Sequence, residues 1–562
     1  MKRLLRQLLL RGWILAGFFG ALFFLVVAGP GPLDVTNERW VFHHNDSATA
    51  QIGWTFYRFA PWSPRIALNP TYGMDFGGSI IFSDAVPLFA IFFKALSPIL
   101  PETFQYFGLW VFASFVLQGA FGWMLMSRAT ENAAARVLGA CLISLTPLYC
   151  FRLVSPLSAH MSLTAHWPIL AALCLCLPPH IRRPWLWWGL LLLATALIHI
   201  YTFAMVATLW CADIVRRLIL DPRTAWPEPV GIVGVVAAAV LLTGVWAGPA
   251  GDYHGGFGWF KMNVFAFIDP HVWRSPGLRP WSLVLPDIPN WGGDYEGFAF
   301  LGLGGLLLVA VGAWAGQVIL RTRAFTPVVF YLPLGAVLVG MGIFALSHNV
   351  TFGSVNFFVP WPAPLESLGR LFRSTGRFIW PLYYFVFFAA VLLISQRVSP
   401  RMLTTIVASA AIIQCVDIAP AWSSANSYLH ERGPGYQSKL ISLFWKEVGR
   451  QYGAVRIAPH KNQHPDYFEV AIMARAAGLA TDATYLSRPS ASASNDSRTR
   501  IDRAIATGVW PSDTLFIVDE DIARRASRTL DQTRHLIAHV DGLIVIAPDW
   551  RGCSDCGAVP FR

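Results

Sequence analysis

Residues 43–62 read HHNDSATAQIGWTFYRFAPW, setting two histidines, a carboxylate, a glutamine and an arginine among aromatic rings. A carboxylate in such a setting can take the proton of an attacking hydroxyl, while imidazole, amide and guanidinium groups orient a polar substrate around it. The first candidates are therefore His43, His44, Asp46, Gln51 and Arg58, followed by Asp75 and Asp84 in NPTYGMDFGGSIIFSDAVP. Asp46 and Asp84 are the candidate catalytic carboxylates. Further along, Arg152, His160 and His166 interrupt the apolar pattern once, His199 and Tyr201 a second time, and Asp294 and Glu296 of GGDYEGFAFLGLG a third. Arg370, Arg373 and Arg377 of LGRLFRSTGRFIWP follow. Three closely spaced arginines suit an anionic group such as a phosphate, and Glu296 suits a partner to one of them.

Each residue type also has a plainer use. NDSATAQ and SDAVP both fit helix N-termini, with Asp46 or Asp84 as a cap. His160, His166 and His199 fit helix histidines bonded to a neighbouring backbone or hydroxyl. A His–Asp site for a divalent metal stays open, with no HExxH-type spacing to assign its ligands. Arginines at a membrane edge serve as anchors, and aromatic residues there as an interfacial belt. Cys553 and Cys556 lack a second CxxC or a nearby histidine, so their spacing favours a local disulfide over zinc.

Composition sets the elements that must hold these residues. With 55% hydrophobic and 13% charged residues and a mean hydropathy of +0.49, the 562-residue chain reads as a polytopic α-helical membrane protein. Its net charge of +11 does not mark a nucleic-acid partner, because Lys and Arg collect in short loops between apolar runs. Gly12–Gly29 is longer than a signal-peptide core and reads as an uncleaved anchor. Ten more runs, near 103–127, 134–151, 157–178, 185–200, 201–217, 229–247, 299–320, 327–346, 377–395 and 402–420, bring the expectation to about 11 transmembrane helices.

A cytoplasmic N-terminus puts the loops holding Arg128/Arg136, Arg182/Arg183, Arg216/Arg217/Arg223, Arg321/Arg323 and Arg397/Arg401 on one side. Ser79–Leu96 is apolar but holds Asp84, Pro87 and Lys94; as a span it would invert that order, so an interfacial or re-entrant helix is expected. Residues 1–420 then form a membrane domain whose loops 31–102, 248–298 and 347–376 share a periplasmic face with the tail, 421–562. In the tail, AVRIAPH, TLFIVDE and LIAHVDGLIVIAP predict strands and YQSKLISLFWKEVGRQY an amphipathic helix. That composition predicts a small α/β domain, with Ser490–Arg500 (SASASNDSRTR) as a flexible loop. Charged groups at membrane depth cost roughly 2.5–3.5 kcal/mol on insertion scales, which makes the polar clusters candidates for function.

An acidic motif just past the first span, an amphipathic segment before the next, many spans and a trailing periplasmic domain together resemble the GT-C superfamily. These are integral-membrane glycosyltransferases that use polyprenyl-phosphate-linked sugars. The segments NDSATAQIGWTFYR, FSDAVPLFAIFFKAL, SAHMSLTAHWPIL, DYEGFAFLGLG and FRSTGRFIWPLYY look like those of an uncharacterised family of bacterial multispan proteins grouped near that superfamily, over most of the chain. The GT-C resemblance implies that Asp46 is the acidic residue that acts as base or positions the acceptor, with Asp84 as a second acidic group. It implies that Arg373 and Arg377 meet the lipid phosphate. His43, His44, Gln51, Arg58, Arg152, His160, His199, Tyr201, Glu296 and Arg370 are the remaining expected substrate contacts. Asp46 stands without the adjacent second acidic residue of many members. The implied setting is the bacterial inner membrane, with a polyprenyl-phosphate sugar as donor and an envelope glycan, lipid or protein as acceptor. Two other readings compete: a non-catalytic transporter or flippase for an envelope lipid, which requires polar residues along several spans, and an assembly scaffold that binds through its tail.

Overall fold

The computed structural model describes residues 12–43, 45–154, 160–179, 182–220, 227–243, 256–271, 280–321, 331–431, 433, 435–486, 490–553 and 556–561. The chain divides into two compact units. The first comprises Met1–Trp40, Tyr106–Ala237 and His254–Arg432; the second comprises Val41–Gln105, Ala238–Tyr253 and Gly433–Arg562.

The first unit is helical, and the chain is a membrane protein. Phe107–Ala129, Thr375–Ser395 and Pro400–Ser423 are long and apolar enough to cross a bilayer. The expected run 134–151 is broken: Ala133–Ser144 and Pro147–Leu153 meet at a 42° bend, because Pro147 lacks an amide donor and disfavours helical backbone just before it. Counted as one span, that pair makes four among the described residues, where about 11 were expected. Gly12–Val27, Trp167–Cys176, Pro184–Ala196, Glu228–Leu241, Leu303–Val318 and Leu332–Leu346 are apolar but shorter.

Lipid tails are as apolar as leucine, so helices in a bilayer gain from close packing rather than from hiding apolar surface. Gly12–Val27 lies against Phe107–Ala129 on that basis. A methyl group at Gly20 would stand 2.1 Å from the carbonyl oxygen of Phe115, and one at Gly119 would stand 2.2 Å from that of Ala16. A short antiparallel hairpin, β1 (Asn349–Phe352) and β2 (Val355–Phe358), stands in the loop before the span that begins at Thr375.

In the second unit, residues of the first long loop and of the tail build one core. Ile52 and Phe56 of the helix Asn45–Phe59, with Tyr72, pack with Val455, Ile457 and Leu515 of the tail. The tail's strands are β3 (Ala454–Ala458), β4 (Ala480–Thr481), β5 (Thr514–Val518), β6 (Leu536–Val540), β7 (Leu543–Ala547) and β8 (Val559–Pro560). They form a mixed sheet in the order β4-β3-β5-β7-β6-β8, parallel at β4-β3-β5 and antiparallel beyond. The expected strands are all present. Asp541 and Gly542, both at positive φ, turn β6 into β7 as a two-residue Asp-Gly hairpin requires. Cys553 and Cys556 are joined by a disulfide.

Ser490–Arg500 is not a flexible loop. The helix Ala491–Thr507 begins there, its first turn capped by the Ser490 hydroxyl, which accepts from the Ala493 amide at 3.0 Å. Ala493, Ser497, Ile501, Ala504 and Ile505 form its buried face. Ser79–Leu96 resolves into the 3-10 turn Ile80–Ser83 and the nine-residue helix Pro87–Ala95, too short for a span. Asp84 does not cap the N-terminus of that helix: it ends the 3-10 turn in left-handed backbone (φ 57°), and Val86 holds the N-cap position.

Candidate functional site

Three short elements of the first unit bring charge into its interior. The helix Pro147–Val154 carries Arg152, the 3-10 turn Asp294–Gly297 carries Glu296, and the turn Thr375–Ile379 carries Arg377. The Glu296 turn is held from behind by Asp294, whose carboxylate accepts from Lys261 Nζ at 2.9 Å, Asn263 Nδ2 at 3.0 Å and Thr351 Oγ1 at 3.2 Å. All four of these residues are buried.

Glu296 sits between two guanidiniums. Arg377 donates through Nε to Oε2 and through Nη2 to Oε1, both at 2.8 Å. Arg152 donates through Nη2 to Oε2 at 2.8 Å and to the Glu296 carbonyl at 3.2 Å. Burial alone would raise the Glu296 carboxyl, but the charges of Arg152 and Arg377 outweigh it, and with the nearby His160 they hold it well below its ordinary value. Two cations against one anion leave the cluster with an excess positive charge. Arg152 is 1% exposed, and its Nε and Nη1 have no hydrogen-bond partner among the described residues. A buried donor left without an acceptor costs about 1–3 kcal/mol, so these N–H groups are donors that an acceptor would satisfy.

Aromatic rings wall the cluster. The Arg377 guanidinium lies 4.6 Å from the centroid of Tyr201, and that of Arg152 lies 5.5 Å from Trp380. The Tyr201 hydroxyl donates to the Phe372 carbonyl at 2.8 Å and accepts from the Ser374 amide at 2.9 Å, tying the segment before Arg377 in place. His199 stacks on Tyr201 with ring centroids 5.4 Å apart. Arg152, His160, His199, Tyr201, Glu296 and Arg377, six residues expected from sequence, are thus brought together. Of Arg370, Arg373 and Arg377, Glu296 partners one, Arg377, as expected, and it partners Arg152 besides.

Sequence reasoning named His166 but missed the other two members of the polar chain beside them, Gln118 and Tyr384. Gln118 donates to the Tyr384 hydroxyl at 3.1 Å, and that hydroxyl bonds His166 Nδ1 at 2.7 Å. His166 stacks on Trp380 at 4.1 Å. Gln118 and Tyr384 stood as single polar residues inside apolar runs, the only signal available.

The three arginines do not form one cationic patch. Arg370 is exposed and paired with Glu366 at 2.6 Å, Arg373 lies over Phe260 at 5.1 Å, and only Arg377 is buried in the cluster. In the second unit, Asp46 occupies the first turn of Asn45–Phe59. A cavity of about 420 Å³ lies beside that helix, lined by Phe42, Ala48, His464 and Tyr467 among others. Burial and then the Asp46 charge raise the Tyr467 phenol. Gln51 is buried and donates to the Phe104 carbonyl at 3.5 Å. Arg58 bonds the carbonyls of Glu102, Leu100 and Ser97 at 2.9, 3.3 and 3.4 Å, a staple for that loop. Asp84 adjoins the turn Ile80–Ser83, whose Ser83 crowds Gly53 of the Asp46 helix. His43 ends the 3-10 turn Val41–His43, and His44 lies outside the described residues.

Among the described residues, one group of three has metal-ligand chemistry: Asp269, His271 and Asp287, with ligand atoms within 4.8 Å of one another. The Asn290 amide already bridges two of them, reaching Asp269 at 3.1 Å and His271 at 2.5 Å.

Two family models match the chain: Domain of unknown function (DUF6311) over residues 17–419, and the DUF6311 C-terminal domain over residues 444–548. No curated protein matches it.

Proposed function

The chain belongs to the DUF6311 family, and from that premise we propose that it is a membrane glycosyltransferase of GT-C type. In this reading it spans a bacterial inner membrane about 11 times, with a cytoplasmic N-terminus and a periplasmic tail. It moves a sugar from a polyprenyl-phosphate donor to an envelope glycan, lipid or protein. The observation that carries the proposal is the buried Arg152–Glu296–Arg377 cluster, with its excess positive charge and the two Arg152 nitrogens, Nε and Nη1, that have no partner among the described residues. A phosphate oxygen satisfies those donors, and fixed cations lower the energy of the phosphate that leaves.

The chemistry is a substitution at the anomeric carbon. The acceptor hydroxyl forms the new C–O bond as the bond from that carbon to the phosphate oxygen breaks. The polyprenyl phosphate departs with the electron pair, and the hydroxyl proton passes to a carboxylate base, for which Asp46 and Asp84 are the candidates from sequence. The test supplies purified protein with labelled polyprenyl-phosphate sugar and an envelope acceptor fraction. Transfer is expected from the wild type and is expected to fall by roughly 10²–10⁴ in Asp46→Asn. Unchanged turnover in that variant removes Asp46 from the mechanism.

The Gln118–Tyr384–His166 chain favours a second reading, since it sets polar groups within two of the helices long enough to span. A transporter or flippase would move the labelled lipid across a vesicle membrane with its sugar–phosphate bond intact.

A further inference from the structure

The second unit holds a cavity of about 600 Å³ between the helix Ala491–Thr507 and the strands β3 and β5, closed on one side by Met74 and Asp75 of the first long loop. That volume falls in the range of small-molecule sites, roughly 300–1,000 Å³. The loop is pinned there by its backbone: Gly73 donates to the Thr481 carbonyl and Thr481 to that of Thr71, both at 2.9 Å.

Three arginines and two carboxylates line the cavity: Arg456, Arg500 and Arg503 with Asp75 and Asp513. Arg456 reaches Asp75 through Nη2 at 2.7 Å and Nη1 at 3.2 Å, and Arg500 reaches it through Nη2 at 2.6 Å. Arg503 adds a further positive charge to the lining. Two more carboxylates act on Arg456: Asp513, which lines the cavity, and Asp482, 3.5 Å from Nη1, fully buried and pushed up by that burial to about 7. Aromatic groups line the same cavity: Phe516 is the register partner of Arg456 across β3 and β5, and Trp510 lies edge-on to Phe516 at 5.0 Å. Trp510 is 5% exposed, and its Nε1 has no hydrogen-bond partner among the described residues.

A carboxylate held by the Arg456 fork and by one bond from Arg500 occupies the position of an oxyanion. Arg500 and Asp75 are half and one-third exposed, so their ion pair is screened and weakly held. We propose that this cavity binds an anionic monosaccharide unit, phosphorylated or uronic. Its oxyanion displaces Asp75 from Arg456 and Arg500, while the sugar ring packs against the Trp510 and Phe516 rings of the lining. The site lies wholly within the second unit, and its assignment does not depend on transferase activity.

The test is calorimetric titration of the full chain in lipid nanodiscs with glucose 1-phosphate, glucuronic acid, glucose and inorganic phosphate. At least one of the two anionic sugars binds saturably, glucose does not, and the comparison of the two identifies the oxyanion. Arg500→Gln, on the surface of its helix, weakens that binding at least about tenfold. Asp75→Asn removes the internal competitor and tightens it. Trp510→Leu, which removes an aromatic face of the lining, weakens the sugar without weakening inorganic phosphate. Absence of saturable binding of both anionic sugars to wild type and Asp75→Asn alike, or equal binding of glucose, overturns the proposal. So does an affinity unmoved by Arg500→Gln.

Discussion

Gly376 faces Gly297 so closely that a methyl group on Gly376 would stand 2.7 Å from the Gly297 Cα, while one on Gly297 would stand 2.3 Å from the Cα of Met262. These two glycines adjoin Arg377 and Glu296, so the contact lets the two turns meet. Gly376→Ala forces backbone apart and is expected to destabilise by about 1–3 kcal/mol. Thermal melting in detergent checks this, with Gly335→Ala, which has open space around it, as a control that leaves the melting temperature unlowered.

Removing Glu296 leaves two buried guanidiniums facing each other without an anion. Glu296→Ala is expected to cost about 3–5 kcal/mol. Glu296→Gln retains an acceptor and is expected to cost less. Melting temperatures in the order wild type, Gln, Ala check this; an Ala variant as stable as wild type contradicts the pairing.

Asp482 sets a pH dependence. Its carboxyl is raised by burial to about 7 when folded, from 3.8 unfolded, so the folded chain holds the proton more tightly. The resulting stability is fully present below about pH 4 and is lost as pH rises through about 7. Asp482→Asn keeps the acceptor for the Ile457 amide but cannot titrate. The difference in melting temperature between pH 5 and pH 8 is expected to shrink in this variant.

Arg58 ties three carbonyls of residues 97–102. Arg58→Ala is expected to cost about 1.5–3 kcal/mol, and lysine cannot restore the fork. Limited proteolysis checks this, as both variants are expected to be cut faster within 97–102 than wild type.

Residues that are costly in a membrane were legible in the sequence: Arg152, Glu296 and Arg377 stand out against apolar flanks. Their pairing was only half legible, because Arg370, Arg373 and Arg377 look alike in sequence, and what separates them is that Arg377 alone is buried against Glu296. Asp75 meets partners 381 and 425 positions away, a distance no local pattern reports. Strands β3, β5, β6 and β7 were legible because their apolar runs are short and bounded by turn residues. The helix Ala491–Thr507 was hidden by its Ser and Asn content, which reads as a loop unless Ser490 is recognised as its cap and Ala493, Ser497, Ile501 and Ala504 as its inner face.

The central claim is that the Arg152 cluster holds a lipid-linked phosphate, and equilibrium binding of a labelled polyprenyl-phosphate sugar to the protein in nanodiscs tests it most directly. Saturable binding to the wild type is predicted, displaced by unlabelled polyprenyl phosphate but not by neutral polyprenol, and weakened at least about tenfold in Arg152→Gln protein shown by melting to be folded. Equal binding by that variant, or equal displacement by the neutral lipid, would contradict the account.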